Sequence, residues 1–291
     1  MTVLARLSRH RSARVGGLFL LLIFGMAILA PVIAPEGYDD QDLMRRLKPP
    51  SSESLLGTDQ IGRHLTSRII WGARISLQIA FMATGLGLVV GTVLGLVAGF
   101  YGGAIDRFIM ALMDILLAFP GILLALAVVA ILGPGLYNVM IAVGISGIPR
   151  FARLVRGSTL SVREKEYIEA QRAVGSPDIR ILMRHILPNI IGPIVVQATL
   201  RIGTSILQAA GVSFLGLGAQ PPLPDWGGMV SEGRHLLRSE WWVAIFPGIA
   251  IMVTVFGFNL LGDGVRDALD PRVLISKKGQ EPKEESAVAT N

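Results

Sequence analysis

Val162–Asn189 reads VREKEYIEAQRAVGSPDIRILMRHILPN. Arg163, Glu164, Lys165, Glu166, Glu169, Arg172, Asp178, Arg180 and Arg184 all fall inside it, in a chain with 16% charged residues. Long apolar segments lie on both sides. Charge is expensive in hydrocarbon, so this stretch stands outside a bilayer that its neighbours cross. It is also patterned. Val162–Val174 consists of good helix formers, and Gly175 stops the helix because glycine takes the left-handed conformation at no steric cost. Ser176 is placed as an N-cap, Pro177 at the first helical position and Asp178 in the first turn, which is a helix start. Ile179, Leu182, Met183, Ile186 and Leu187 continue near a 3.6-residue period, and Pro188 is expected to close this second helix at the membrane face. The stretch predicts a two-helix knob with small residues at its tip, shaped to enter a cleft on another protein.

The whole chain has 291 residues, 52% hydrophobic, and no cysteine. Soluble domains carry roughly 25% charged residues. The runs of about 20 apolar residues match a hydrocarbon core of roughly 30 Å. The fold class is therefore all-α and polytopic. The missing cysteine excludes disulfides and thiol nucleophiles. A net charge of +6 raises nucleic acid as a partner. The basic residues instead sit beside apolar spans, as cytoplasmic loops hold them, so lipid is the expected contact.

Residues 1–15 form a basic N-terminus, and residues 16–34 the first span. A cleaved signal peptide has a shorter apolar region, and Pro35 would follow its only small-residue site, so an uncleaved span is preferred. Residues 35–75 form an external loop, whose Arg45, Arg46, Lys48, Arg63, Arg68 and Arg74 strain the positive-inside rule. The five-helix core, 76–271, has spans near 76–100, 108–132, 136–148, 190–217 and 243–261. Residues 272–291 are a polar tail expected to be disordered. Six spans place both termini inside, with about 18 Lys and Arg on cytoplasmic segments against about eight outside.

Several positions inside the spans stand out. Gly87, Gly91, Gly95 and Gly99 repeat every fourth residue and form a small-residue stripe. It suits either packing within the chain or contact with a second subunit. Asp114, Arg201 and Gln208 are candidates for a translocation path. Asp114 near a span end also suits snorkelling to the interface, and Arg201 is likewise placed toward a span end. Pro120 is expected to kink the third span near its middle.

The central stretch resembles the EAA loop of ATP-binding-cassette (ABC) import permeases. The match runs through Glu169-Ala170-Gln171, Gly175 and His185-Ile186-Leu187-Pro188. Gln171 stands where the pattern has alanine and His185 where it has isoleucine; the spacing is kept. Leu55–Leu77, Gly216–Val230 and Asn259–Arg272 are similar to signatures of the C-type permease of dipeptide, oligopeptide and nickel importers. The resemblance implies a type I importer permease fold in a cell inner membrane. It implies pairing with a homologous B-type permease, two cytoplasmic ATP-binding subunits and an external solute-binding protein. ATP and Mg would be bound by the ATPases, and no cofactor by this chain. Glu169, Ala170, Gln171, Gly175, His185, Leu187 and Pro188 would form the ATPase-coupling site. Peptide is the favoured substrate, with glutathione and nickel as alternatives in the same family.

The residues themselves agree that this chain is not the energy source. No Gly-x-x-x-x-Gly-Lys-[Ser/Thr] phosphate loop is present. His10, His64, His185 and His235 are widely spaced and lack metal-ligand pairing, so no metal site or protease chemistry is indicated. An ion-gradient-driven transporter is the rival of a different class. It would be expected to show internal repeats and midplane ionisable groups.

Overall fold

The computed structural model of the protein describes residues 11–269. The start of the basic N-terminus and the tail 272–291 lie outside the described residues. Regular structure among them is helical, apart from one bridge between Thr58 and His64. The principal helices are α1 (Arg11–Ile33), α2 (Leu65–Tyr101), α3 (Gly103–Leu117), α4 (Gly121–Leu132), α5 (Leu136–Arg163), α6 (Glu166–Ala173), α7 (Asp178–Phe214), α8 (Trp226–Gly233) and α9 (Trp242–Leu269). Five of them, α1, α2, α5, α7 and α9, are long and apolar enough to cross a membrane.

The third expected span, 108–132, is not one helix. It is divided into α3 and α4, which meet at 92° across Ala118-Phe119-Pro120. The ring of Pro120 disfavours helical backbone at Phe119, and Pro120 itself is extended, with ψ 131°, as the N-cap of α4. At 12 residues α4 rises about 18 Å, less than a bilayer core of roughly 30 Å. Pro120 therefore ends one helix and begins another, and α3 with α4 makes the sixth span when the bent pair is taken as one broken crossing.

Other boundaries move for similar reasons. Residues 65–75, expected in the external loop, are the first turns of α2, a helix of 37 residues. At about 55 Å it projects well beyond the hydrocarbon. The fourth span does not stop near Ile148. It continues as α5 through a buried Pro149 to Arg163.

The glycine stripe lies along the seam between α2 and α5. A Cβ added to Gly91 would stand 2.5 Å from the Cβ of Phe151 and 2.7 Å from the carbonyl of Ile148. One added to Gly95 would stand 2.5 Å from the carbonyl of Ala152, and one at Gly99 2.8 Å from the Cβ of Thr159. Lipid tails are as apolar as leucine, so helices in a membrane associate chiefly by this kind of close fit.

Three apolar clusters lie along the bundle. One joins α1, α2, α8 and α9 around Leu65, Trp226 and Phe258, with the Trp226 indole donating to the Ile69 carbonyl at 3.0 Å. A second fills the space between α2, α4, α5 and α7 around Ile79, Val129 and Val143. The third gathers Leu96, Phe100, Val155 and Ile168 with Ile181, Ile186 and Ile190 beneath α6.

Gly91→Ala should disrupt the seam, since backbone atoms in both helices cannot yield. Overpacking of this kind costs typically 1–3 kcal/mol. Gly85→Ala on the same helix meets no atom within 4 Å and is the matched control. Thermal unfolding of the purified chain in detergent should show a lowered midpoint for Gly91→Ala alone; equal midpoints would contradict the seam.

Candidate functional site

The polar stretch forms a hairpin, and its turn is built as a Schellman motif. The amide of Ser176 donates to the Gln171 carbonyl at 3.0 Å, and the amide of Gly175 to the Arg172 carbonyl at 2.9 Å. These two bonds satisfy carbonyls that the end of α6 leaves open, and they require a left-handed residue between them. Gly175 fills that position with φ +74°. Gln171 adds a further tie, because the Ser176 hydroxyl donates to its side-chain oxygen at 2.9 Å. The departure from alanine thus has a local role.

The sequence-based reading of the hairpin is corrected at three points. Val162 belongs to α5, and the first hairpin helix is only Glu166–Ala173. Arg163 explains the break. Its guanidinium donates to the carbonyls of Gly99 and Phe100 at 3.0 and 3.1 Å, capping the open end of α2 and pinning α5 there. Ser176 is not the N-cap of the next helix. Pro177 occupies that position, extended at ψ 145°, while the Ser176 side chain is turned toward Gln171. Pro188 does not close the second helix. Helix α7 runs through it, with a π-helical segment over Ile181–Ile186. The wider turn accommodates a proline that cannot supply its amide, and the Asn189 side chain donates to the His185 carbonyl at 2.6 Å.

The hairpin is held from beneath and open above. Ile168, Ile181 and Ile186 are fully buried in the cluster formed with α2 and α5. The Arg172 guanidinium lies over the Phe100 ring, 5.2 Å from its centre. On the other side Glu169, Ala170, Gly175 and Pro188 are exposed, and Gln171, His185 and Leu187 are half-buried. Val174 is 76% exposed and Ile179 65%, with Tyr167 and Met183 also exposed. This apolar surface on a polar excursion is left without a partner among the described residues. Beside it, Glu169, Arg172 and Asp178 line a depression of about 570 Å³ together with Phe100, Tyr101, Arg163 and Glu164.

The other predicted residues are not brought together with the hairpin. Asp114 is largely exposed and pairs with Arg153 at 2.5 Å. Arg201 lies well inside α7, not near a span end, and is 2% exposed. It donates to the Val143 carbonyl, the Ser146 hydroxyl and the side-chain oxygen of Gln208 at 2.9–3.2 Å. At the far end of α2 is a cluster that reading the sequence missed. Arg63 and Arg68 bind Asp59 at 2.7 and 2.8 Å, and Arg68 also reaches Glu232 at 2.6 Å. The spacing of Asp59 and Arg63 was visible as an i,i+4 pair; the partner Glu232, far along the chain, was not.

A family model described as a binding-protein-dependent transport system inner membrane component matches residues 91–275. The chain belongs to that family. A second model, the N-terminal transmembrane domain of oligopeptide transport permease C, matches residues 2–50 of the permease. The permease is 49% identical over 268 residues to the dipeptide transport system permease protein DppC of Alkalihalophilus pseudofirmus, covering 92% of this chain and 88% of that one. It is 51% identical over 271 residues to the glutathione transport system permease protein GsiD of Pectobacterium atrosepticum, covering 92% and 89%. Among solved structures, the inward-facing MetNI methionine ABC transporter aligns with a TM-score of 0.57 at 21% identity. That alignment covers 70% of the permease and 96% of the other chain, and it shows the fold. The permease is accordingly a multi-pass inner-membrane protein and the non-catalytic, membrane-spanning kind of subunit.

The turn should respond to backbone strain alone, because a Cβ at Gly175 meets nothing within 4 Å. Left-handed backbone costs a β-carbon residue roughly 1–2 kcal/mol, less for asparagine. Gly175→Ala should therefore speed hydrogen exchange at the Ser176 amide about 5–30-fold, and Gly175→Asn by less. Equal exchange in all three proteins would refute the assignment.

Proposed function

We propose that this permease imports small peptides as one membrane subunit of an ATP-driven transporter, and that the hairpin at Glu166–Pro188 is where separate ATPase subunits drive it. The supporting observation is mechanical. An exposed tip with Val174 and Ile179 outward is fastened through Ile168, Ile181 and Ile186 to α2, α5 and α7. A partner that grips the tip therefore holds three helix ends at once. Closure of the ATPase pair would move those ends together and shift the permease between inward- and outward-facing states.

In this reading Glu169, exposed on α6 at the edge of the depression shared with Arg172 and Asp178, forms an ion pair with a basic residue of the ATPase. Ala170 lets the partner's surface come close, and Gly175 and Gln171 keep the turn in shape. His185, Leu187 and Pro188 carry the connection into α7. A homologous B-type permease would complete the pathway, and an external binding protein would deliver the peptide. Both termini would be cytoplasmic, with the cluster of Asp59, Arg63, Arg68 and Glu232 at the outer end. Peptide is favoured as substrate because the two relatives, at about half identity, are a dipeptide and a glutathione permease, and glutathione is itself a peptide. Arg201 and Gln208, tied to Ser146 of α5, would keep α7 in register beside the pathway.

Two variants test the coupling. Glu169→Lys and Gly175→Val should still insert and pair with the second permease. Co-purification of the ATPases or ATP-driven dipeptide uptake in vesicles should fall by about tenfold or more, which is the loss of a buried charge-assisted contact at an interface. If both variants retain full ATPase association and uptake, the hairpin is not the coupling site.

A further inference from the structure

Within α7 four polar residues recur at intervals of four, three and four: Gln197, Arg201, Thr204 and Gln208. At 3.6 residues per turn they fall on one face of the helix and run along it for about 17 Å, more than half of a hydrocarbon core of roughly 30 Å. Glutamine and threonine are too short to carry their polar groups out of it as lysine does. Ile206 and Ala209, on other faces of α7, are packed into the apolar clusters of the bundle. The polar face is less covered: Thr204 is exposed, and Gln197 and Gln208 are half-buried. Lipid offers no hydrogen bonds, so a face of this kind meets protein or water in the assembled transporter.

Arg201 decides what the face presents. It is 2% exposed, too deep to meet a ligand itself, and the acceptors it meets among the described residues are all neutral. Its Nη2 donates to the Val143 carbonyl at 3.2 Å, to the Ser146 hydroxyl at 3.0 Å and to Gln208 Oε1 at 2.9 Å. A guanidinium has donors only, so the oxygen of the Gln208 amide must face it and the NH2 must face away. Among the described residues Gln208 accepts hydrogen bonds and donates none. Its NH2 lies against the first residue of α4, where a Cβ added to Gly121 would stand 2.6 Å from Nε2. The neighbouring break between α3 and α4, Ala118-Phe119-Pro120, is exposed.

We propose that this face of α7 is the permease's wall of the peptide path, that Gln208 donates to carbonyl or carboxylate oxygens of the passing peptide, and that Arg201 is a positioning residue that holds the Gln208 amide for it. The inference rests on the peptide-import reading above. A peptide backbone carries an acceptor oxygen at every residue whatever its side chains, so one fixed amide serves many sequences. A static cover by the second permease is the competing occupant, and the test separates the two.

The chain has no cysteine, so a single introduced thiol is its only one. The assembled transporter in liposomes is treated, without nucleotide, with a charged methanethiosulfonate, and labelling of this subunit is read by mass. The reagent needs a thiolate, which forms in water and not in lipid. Gln208→Cys should be labelled at least tenfold faster than Leu21→Cys on α1, which is 67% exposed. Thr204→Cys takes its place if Gln208→Cys does not assemble. A smaller ratio, the result expected of a static cover, would overturn the path. ATP-driven import of dialanine is then measured per assembled complex. Gln208→Leu should slow it roughly 3- to 10-fold, the loss of one hydrogen bond. Arg201→Lys should slow it by a similar factor in the wild-type chain and by nothing further in Gln208→Leu, because it acts through that amide. Ser146→Ala stands in for Arg201→Lys if that variant does not assemble. Unchanged import in Gln208→Leu, or losses that multiply in the double variant, would overturn the roles given to these residues. Failure of the wild type to import dialanine sinks the transport reading, whereas import without these effects sinks only this site.

Discussion

The close approach of α2 and α5 along Gly87, Gly91, Gly95 and Gly99 is the constraint on which the rest depends. Within a bilayer, burial of apolar surface against another helix gains little over burial against lipid. Fit has to supply the difference. With no side chains on one face of α2, its backbone lies against the backbone and Cβ atoms of α5. The two helices then arrive at the hairpin in fixed register. That register lets Arg163 reach the open carbonyls of Gly99 and Phe100, and it places Phe100 beneath Arg172. The hairpin inherits its position from a seam that begins well inside the membrane.

Much of this was legible in the sequence, and the failures are informative. The four-residue glycine period marks a close helix contact, within the chain or between chains, and the glycine ending a run of helix formers marks a turn; Gly175 has the left-handed backbone expected of it. Prolines were harder. Pro120, Pro149 and Pro188 each interrupt a helical pattern, yet one separates two helices at 92°, one is carried inside a helix and one follows a π-turn. A missing amide is the same defect in all three. What differs is whether surrounding helices and a wider turn can absorb it, and that is a tertiary property. Arg201 was misjudged for a simpler reason: the expected span 190–217 already put it well inside, and the structure buries it there against Val143 and Ser146.

The basic residues before α2 show how pairing across long sequence distances alters a charge argument. Counted along the chain, Arg63 and Arg68 oppose the preferred orientation. In the folded protein they are buried against Asp59 and Glu232, and Arg45 lies against Glu36 and Asp42. Removing one member of a buried cluster strands the rest, so such a group fixes the segment before α2 onto α8 whatever its net contribution to stability.

Helix α7 extends from Asp178 at the hairpin to Phe214, 37 residues and about 55 Å, with no turn of chain between the hairpin and the membrane-crossing segment. The second half of the hairpin is thus continuous with a membrane-crossing helix that ends by Ser213, in the wall of a cavity at the other end of the bundle. The π-turn at Ile181–Ile186 is where the rod's hydrogen-bond ladder changes step, just before it enters the span. The turn of the hairpin and the wall of the far cavity are, in this chain, two ends of a single covalent strut.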